Sequence, residues 1–182
     1  MTDHQKNEQL PSALEPENTP TTLITAELIR QVVEGSRQSP RRRIILPFHK
    51  NDAASLHRML NGLQPKSYIQ PHRHIDPPKA ESVIVLQGAI KCFLFSDDGR
   101  IENVYVLRAG SDIIGIDSDP GVYHTFLALE QDTVLYEAKP GPYIRATDKE
   151  FALWAPKEGS PATRQYMQFL YDFTNPSIIR IS

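Results

Sequence analysis

His72 and His74 stand two residues apart in the stretch PHRHIDPPKAESVIVLQG, which runs from Pro71 to Gly88, and Glu81 follows seven residues after the second histidine. In a strand, residues i and i+2 point to the same face. The two imidazoles therefore project together, and Arg73 between them projects the other way. The loop IDPPKA reverses the chain. A following strand that begins at Glu81 and pairs antiparallel with the first brings its carboxylate beside the two rings. A third histidine, His124, follows the turn DPGVYH at the head of another strand. Three neutral imidazoles and one carboxylate form a ligand set for Zn²⁺, Fe²⁺, Mn²⁺, Ni²⁺ or Cu²⁺. Ligands supplied by separate strands leave coordination positions open, which is what separates a catalytic metal site from a closed structural one.

An H-x-H pair by itself is also found on ordinary strand surfaces. What favours a metal is the pair together with Glu-x6-Gly and the later Gly-x-x-His. Around this set stand residues of less specific meaning. Tyr68 precedes His72 by four residues and shares its face in an unbroken strand, as a phenol for catalysis or as barrel filling. Phe126, two residues after His124, lines the same cavity as a substrate-binding or packing side chain. Arg145 is the candidate for meeting a charged substrate group from the C-terminal stretch, where Trp154 in FALWAPKEG reads as an anchor onto the barrel. His49 reads as a surface or capping residue and His57 as structural.

The elements that must hold these residues are strands. From Ser67 the runs SYIQPHRH, SVIVLQG, AIKCFLF, IENVYVL, SDIIGI, YHTFLAL and TVLYEAK alternate with the turn signals PP, QG, SDDGR, RAGSD, DSDPG and EQD. Short strands at this spacing argue for an all-β sandwich or barrel. The clearest hairpin has Asp98-Gly99 at its tip. Before the strands, TAELIRQVVEGSRQ predicts a helix capped by Thr25 and stopped at Gly35. RRRIILPF predicts a short strand, and NDAASLHRMLNGL a second helix with Leu56, Met59, Leu60 and Leu63 on its apolar face. ATRQYMQFLYDF predicts a last helix. The expected organisation is a disordered tail over 1–21, a helix-strand-helix arm over 22–66, a barrel core over 67–140 and an extension over 141–182 packed on the barrel.

The chain has 182 residues, a formal net charge of −2 and one cysteine, Cys92. Near-neutrality, with a basic run of only Arg41-Arg42-Arg43, gives no case for a nucleic-acid partner. A lone cysteine in the apolar run IKCFLF reads as a small buried hydrophobe and excludes an intrachain disulfide. No apolar run reaches the roughly 18 residues of a membrane span, and the N-terminal sequence lacks the order of a secretory signal. The expectation is a soluble, cytoplasmic protein with no membrane partner.

The stretch from His72 to Gly88 resembles the first cupin motif, H-x-H-x(3,4)-E-x6-G, with six residues rather than three or four between His74 and Glu81. PGVYH, with Gly121 and His124, resembles the second, P-x-G-x-x-H, although the proline directly precedes the glycine and Ala128 stands where asparagine is frequent. LQPKSYIQPHRH, KAESVIVLQG, YEAKPGPY and FALWAPKEG together resemble the WbuC-type cupin metalloproteins over roughly Ser39 to Tyr166. The resemblance implies a cupin jelly-roll β-barrel with short flanking helices at both ends. It also implies one divalent transition metal (Fe, Zn, Mn or Ni) on His72, His74, Glu81 and His124, and a homodimer. It suggests a metal-dependent enzyme acting on a sugar or sugar-nucleotide in surface-polysaccharide (O-antigen) biosynthesis. A non-haem iron dioxygenase on a small organic substrate and a non-catalytic sugar-binding cupin are the alternatives.

Overall fold

A computed structural model describes residues 13–174. Between Arg43 and Pro140 the chain forms nine strands: β1 (Arg43–Pro47), β2 (Leu56–Leu63), β3 (His72–Arg73), β4 (Glu81–Gln87), β5 (Ala89–Phe95), β6 (Ile101–Arg108), β7 (Gly115–Ser118), β8 (Tyr123–Ala128) and β9 (Thr133–Pro140). A short β10 (Glu150–Phe151) follows, and helices α1 (Ala26–Gln38) and α2 (Thr163–Asp172) flank the strands. The strands make two antiparallel five-stranded sheets, in the orders β1-β2-β9-β4-β7 and β10-β3-β8-β5-β6. Without the outermost β1 and β10, the orders 2-9-4-7 and 3-8-5-6 are those of a jelly roll, in which successive strands, apart from the β5–β6 hairpin, alternate between two facing sheets. The expected all-β jelly roll with short flanking helices is what the chain forms.

Three apolar clusters hold the layers together. Between the sheets lie Leu63, Val83, Val85, Ile90, Cys92, Leu107, Phe126, Ala128 and Leu135. The first sheet's outer face meets α1 through Leu28, Val32, Val33, Ile44, Leu46, Leu60 and Val134. On the second sheet's outer face Phe93, Phe95, Tyr123 and Leu127 pack with Ala152, Ala155 and Leu170 of the C-terminal extension. Removing side chains of this size from water contributes about 1.5–3 kcal/mol each. Thr25 caps α1, its hydroxyl accepting from the Leu28 N–H at 3.2 Å. Trp154 anchors the extension as expected, its ring 5.0 Å from that of Phe95 and 5.9 Å from that of Tyr123.

Several expectations are corrected. NDAASLHRMLNGL is not a helix: its second half is β2, a central strand of the first sheet, so the barrel starts well before residue 67. Helix α1 runs through Gly35 to Gln38, and the Gly35 carbonyl accepts from Ser39 N–H at 3.0 Å. The strand expected at SDIIGI lies later, over Gly115–Ser118. The first half of the expected tail falls outside the described residues, but Ala13 bridges Ile45 in parallel and Leu14 packs against the α1 cluster. Among the described residues no helix is long and apolar enough to cross a membrane.

Candidate metal centre

The inner faces of β4, β8 and β9 change character along their length. On β4 it reads Val85, Val83, then Glu81; on β8 it reads Ala128, Phe126, then His124; on β9 it reads Leu135, Glu137, then Lys139. One end of the barrel is therefore filled with hydrocarbon and the other with ionisable groups. β3 and β8 pair so that His72 stands directly opposite His124. The chain bends out of β3 at His74, whose carbonyl accepts from Gly121 N–H at 3.0 Å and ties the two motif segments together. Glu81 enters from the opposite sheet. Gly88, which closes the first motif, has φ +76°, and a Cβ there would come within 2.4 Å of Thr133 Oγ1. Only glycine turns the β4–β5 corner at that position without strain.

His72, His74 and His124 are all buried, and each offers a ring nitrogen such that all three atoms lie within 4.8 Å of one another. Their other nitrogens are committed to the backbone. Nδ1 of His72 bonds the Gln70 carbonyl at 3.0 Å, Nδ1 of His124 bonds the Val122 carbonyl at 3.0 Å, and Nδ1 of His74 bonds the Asp148 carbonyl. A carbonyl only accepts, so each Nδ1 carries the proton and each Nε2 is left with a lone pair. Nε2 of His74 is 3.1 Å from Glu81 Oε2, and Nε2 of His124 is 3.3 Å from Glu81 Oε1. The His124 contact is not aligned as a hydrogen bond, which leaves that buried nitrogen without a donor. An orphaned buried acceptor costs free energy unless something electrophilic satisfies it. Three converging lone pairs and a carboxylate fit a divalent metal; Glu81 stands beside His74 and His124, but the expected antiparallel pairing with the histidine strand is not formed, because β4 lies in the facing sheet and reaches the rings across the barrel.

The electrostatics favour the ligand-ready forms. Burial holds the His72 imidazole well below its ordinary value, and nearby Lys149 and His124 add to this. For Glu81, burial pushes the carboxyl up, but a proton on the facing Nε2 of His124 or His74, together with the field of Lys139, outweighs burial and pulls it well below the carboxylate range; a metal ion on those nitrogens would take that proton's place. The ring stays neutral and the carboxyl stays charged, as metal ligation requires.

The remaining sequence candidates divide. Arg73 points away, pairing with Glu150 and Asp97 and lying 4.4 Å over the Tyr123 ring. Phe126 does share the His124 face, with ring centroids 5.5 Å apart. Tyr68 does not face the site. Its hydroxyl donates to the Pro156 carbonyl at 2.7 Å and its ring meets Tyr166, beneath the C-terminal extension. The assumed register fails because residues 67–71 are not strand, so two-residue alternation does not carry from Tyr68 to His72. Arg145 is exposed and makes no ion pair among the described residues. His57 is buried on β2, not on a helix, with His49 stacked on it at 3.9 Å.

A second set of charges went unread in the sequence. Asp148, whose carbonyl orients His74, accepts from Lys79 at 2.7 Å and Lys139 at 3.3 Å. Lys139 also lies 3.3 Å from Glu137 and 3.8 Å from Glu81, and Asn61 donates to Glu137 at 2.8 Å. The available signal was phase: Glu137 and Lys139 continue the inward face begun by Leu135, where apolar residues belong.

A family model described as Domain of unknown function (DUF6016) matches residues 24–107, a stretch containing His72, His74 and Glu81. No curated protein matches. Similar solved structures include oxalate oxidase in complex with the substrate analogue glycolate (13% identity, 63% of this chain and 57% of that one, TM-score 0.48–0.49). KdgF from Halomonas sp. is another (16% identity, 60% of this chain and 87% of that one, TM-score 0.46). A third is oxalate decarboxylase from Bacillus subtilis (16% identity, 54% of this chain and 24% of that one, TM-score 0.44). The chain thus spans about a quarter of the decarboxylase chains it matches. At such scores the fold rests on the strand order itself.

Proposed function

We propose that the protein is a metal-dependent enzyme with one divalent transition metal held by His72, His74, Glu81 and His124. The observation that carries this reading is the convergence of three imidazoles, each with Nδ1 fixed on a main-chain carbonyl and Nε2 turned to one point. When bound, the ion supplies Lewis acidity and open positions for a chelating ligand. The chain's own residues do the rest. Backbone carbonyls fix the imidazole tautomers, Lys139 holds Glu81 charged from 3.8 Å, and Phe126 with the apolar cluster beneath it excludes water from the floor.

The resemblance to WbuC-type cupins supports a sugar or sugar-nucleotide of surface-polysaccharide synthesis as substrate class, in a cytoplasmic protein. A homodimer belongs to the same reading, and the edge strands β6 and β7, with Val106 exposed on β6 and Ile114 exposed just before β7, offer it a surface. Elemental analysis of the purified chain is the first test, and absence of stoichiometric transition metal after loading overturns the proposal. On the loaded protein, product formation from sugar-nucleotides without oxygen uptake supports the sugar reading. Oxygen consumption moves the site to dioxygenase chemistry, and binding without turnover moves it to a sugar-binding protein. Light scattering reads the assembly.

A further inference from the structure

Three arginines among the described residues are half-buried: Arg43, Arg58 and Arg73. Arg43 is paired with Glu158 at 2.7 Å, and Arg73 with Asp97 at 3.0 Å and with Glu150. Arg58 differs. Among the described residues its guanidinium makes no ion pair and no hydrogen bond, and its Nε is buried without a partner. A cation drawn out of water with no counter-charge is costly. Nothing in the folded chain offsets that cost.

On β2, Arg58 is in phase with Leu60, which packs outward on the α1 cluster, and out of phase with Leu63, which turns inward. It therefore stands on the outer face of the first sheet. Leu60 pairs with Tyr136 of β9, so Tyr136 shares that face beside Arg58. The Arg58 carbonyl accepts from Phe48 N–H at 2.8 Å, and the Phe48 and Tyr136 rings stack with centroids 6.3 Å apart. α1 covers the neighbouring part of this face, and the segment Thr19–Ile24 that leads into it supplies a second wall. Between the walls lies a cavity of about 570 Å³, a size that suits a small molecule. Arg58, Lys50, Phe48, Tyr136 and Ile24 line it, and among the described residues no acidic side chain does. The Lys50 ammonium donates to the Glu17 carbonyl, a neutral oxygen that leaves its charge uncompensated.

We infer that this groove binds a phosphate monoester bearing a flat ring, of the nucleoside monophosphate kind. A phosphoryl group carries about −1.5 to −2 charge at neutral pH, which matches the two cations Arg58 and Lys50. A guanidinium takes phosphate oxygens in paired, charge-assisted bonds, and Nε gains the partner it lacks. Phe48 and Tyr136 offer the ring an aromatic wall. The groove is separate from the metal centre, which lies between the sheets, and no bond is made or broken in it.

The test is calorimetric titration of the full chain with uridine monophosphate, uridine and inorganic phosphate, before and after metal is removed by a chelator and dialysis. Uridine monophosphate should bind with the same affinity in both preparations. Uridine and inorganic phosphate each keep only part of the contacts. Each should bind at least about tenfold more weakly, the scale of one charged hydrogen bond or one stacked ring. Arg58→Met keeps the aliphatic stem and removes the unpartnered nitrogen. It should bind uridine monophosphate at least about tenfold more weakly while its melting temperature does not fall. Arg58→Lys should recover part of the affinity, and Lys50→Met, at an exposed position, should weaken binding severalfold in an unaltered fold. No binding of uridine monophosphate to the wild type overturns the inference, as does unchanged affinity in Arg58→Met or Lys50→Met. Inorganic phosphate bound as tightly as the monophosphate would mean an adventitious ion only. Binding lost along with the metal places the phosphate on the metal centre, and a melting temperature lowered by several degrees in Arg58→Met assigns that side chain to the fold. Any of these three results also overturns it.

Discussion

Each ligand imidazole has one nitrogen bound to a main-chain oxygen, so an alanine at any of the three positions removes a lone pair that no neighbour replaces. His72→Ala, His74→Ala and His124→Ala should each lose most of the metal while the barrel stays folded, because the apolar cluster between the sheets includes none of them. Glu81→Ala should weaken binding less, with three nitrogen ligands remaining. Elemental analysis with far-UV circular dichroism checks both points, and unfolding of all three histidine variants would show a structural metal instead. Asp148 makes a different demand. Its side chain is 2% exposed, as is that of Lys79, and it also faces Lys139. Asp148→Asn leaves two buried ammonium groups short of a counter-charge, and breaking such a set costs about 3 kcal/mol or more. Urea unfolding of the metal-free variant should show a loss of that order, and a loss of only a few tenths would mean that water reaches the cluster.

At the scale of elements, the candidate metal ligands were legible in the sequence because they sit on or beside strands, while β2 was misread. Leu56, Met59, Leu60 and Leu63 have helical spacing, but β2 is buried on both faces. Met59 and Leu63 turn inward, and Leu60 turns outward to α1. A strand covered on both sides loses the period-two signature, and periodicity then cannot separate it from a helix. Gly62 was the unread signal: a Cβ there would stand 2.7 Å from the Val32 carbonyl, a close approach of the kind that places glycine inside strands. Tyr68 was lost for the opposite reason, since alternation was assumed across a segment that is not strand. The N-terminal segment was dismissed on composition, although Leu14 donates its N–H to the Ile45 carbonyl at 2.8 Å and packs on the α1 cluster. Deleting residues 1–20 should therefore cost about 1–2 kcal/mol, the burial of part of one leucine and its backbone pairing. Leu14→Ala should reproduce much of that loss. An unchanged denaturation midpoint in the deletion would show that this edge contributes nothing.

For the whole molecule, the barrel's polar end makes stability depend on pH in a fixed direction. Burial holds His72 well below its ordinary value of 6.5, and burial likewise lowers His57. Below that value the unfolded chain takes up protons that the folded barrel refuses. The unfolded state then binds more protons, so stability falls as pH falls. Glu81 acts with the same sign at lower pH. Its folded carboxyl is held well below its ordinary value of 4.5, so its contribution is complete above that value and is lost as acid protonates the unfolded chain first. The metal-free protein should therefore weaken in two stages, one opening below about pH 6.5 and a second below about pH 4.5. The metal-loaded protein should start from a higher plateau and fall more steeply in the first stage, because the ion binds only the native, neutral rings. Urea midpoints between about pH 8 and pH 4 on both forms measure this. His72→Ala should shrink the first stage of the metal-free profile without abolishing it, since His57 still contributes, and should leave the Glu81 stage in place. A metal-free profile that stays level down to about pH 5 would mean that these rings accept protons in the folded state. The barrel would then hold cationic imidazoles facing one another, and the ligand set would have to assemble only after they discharge.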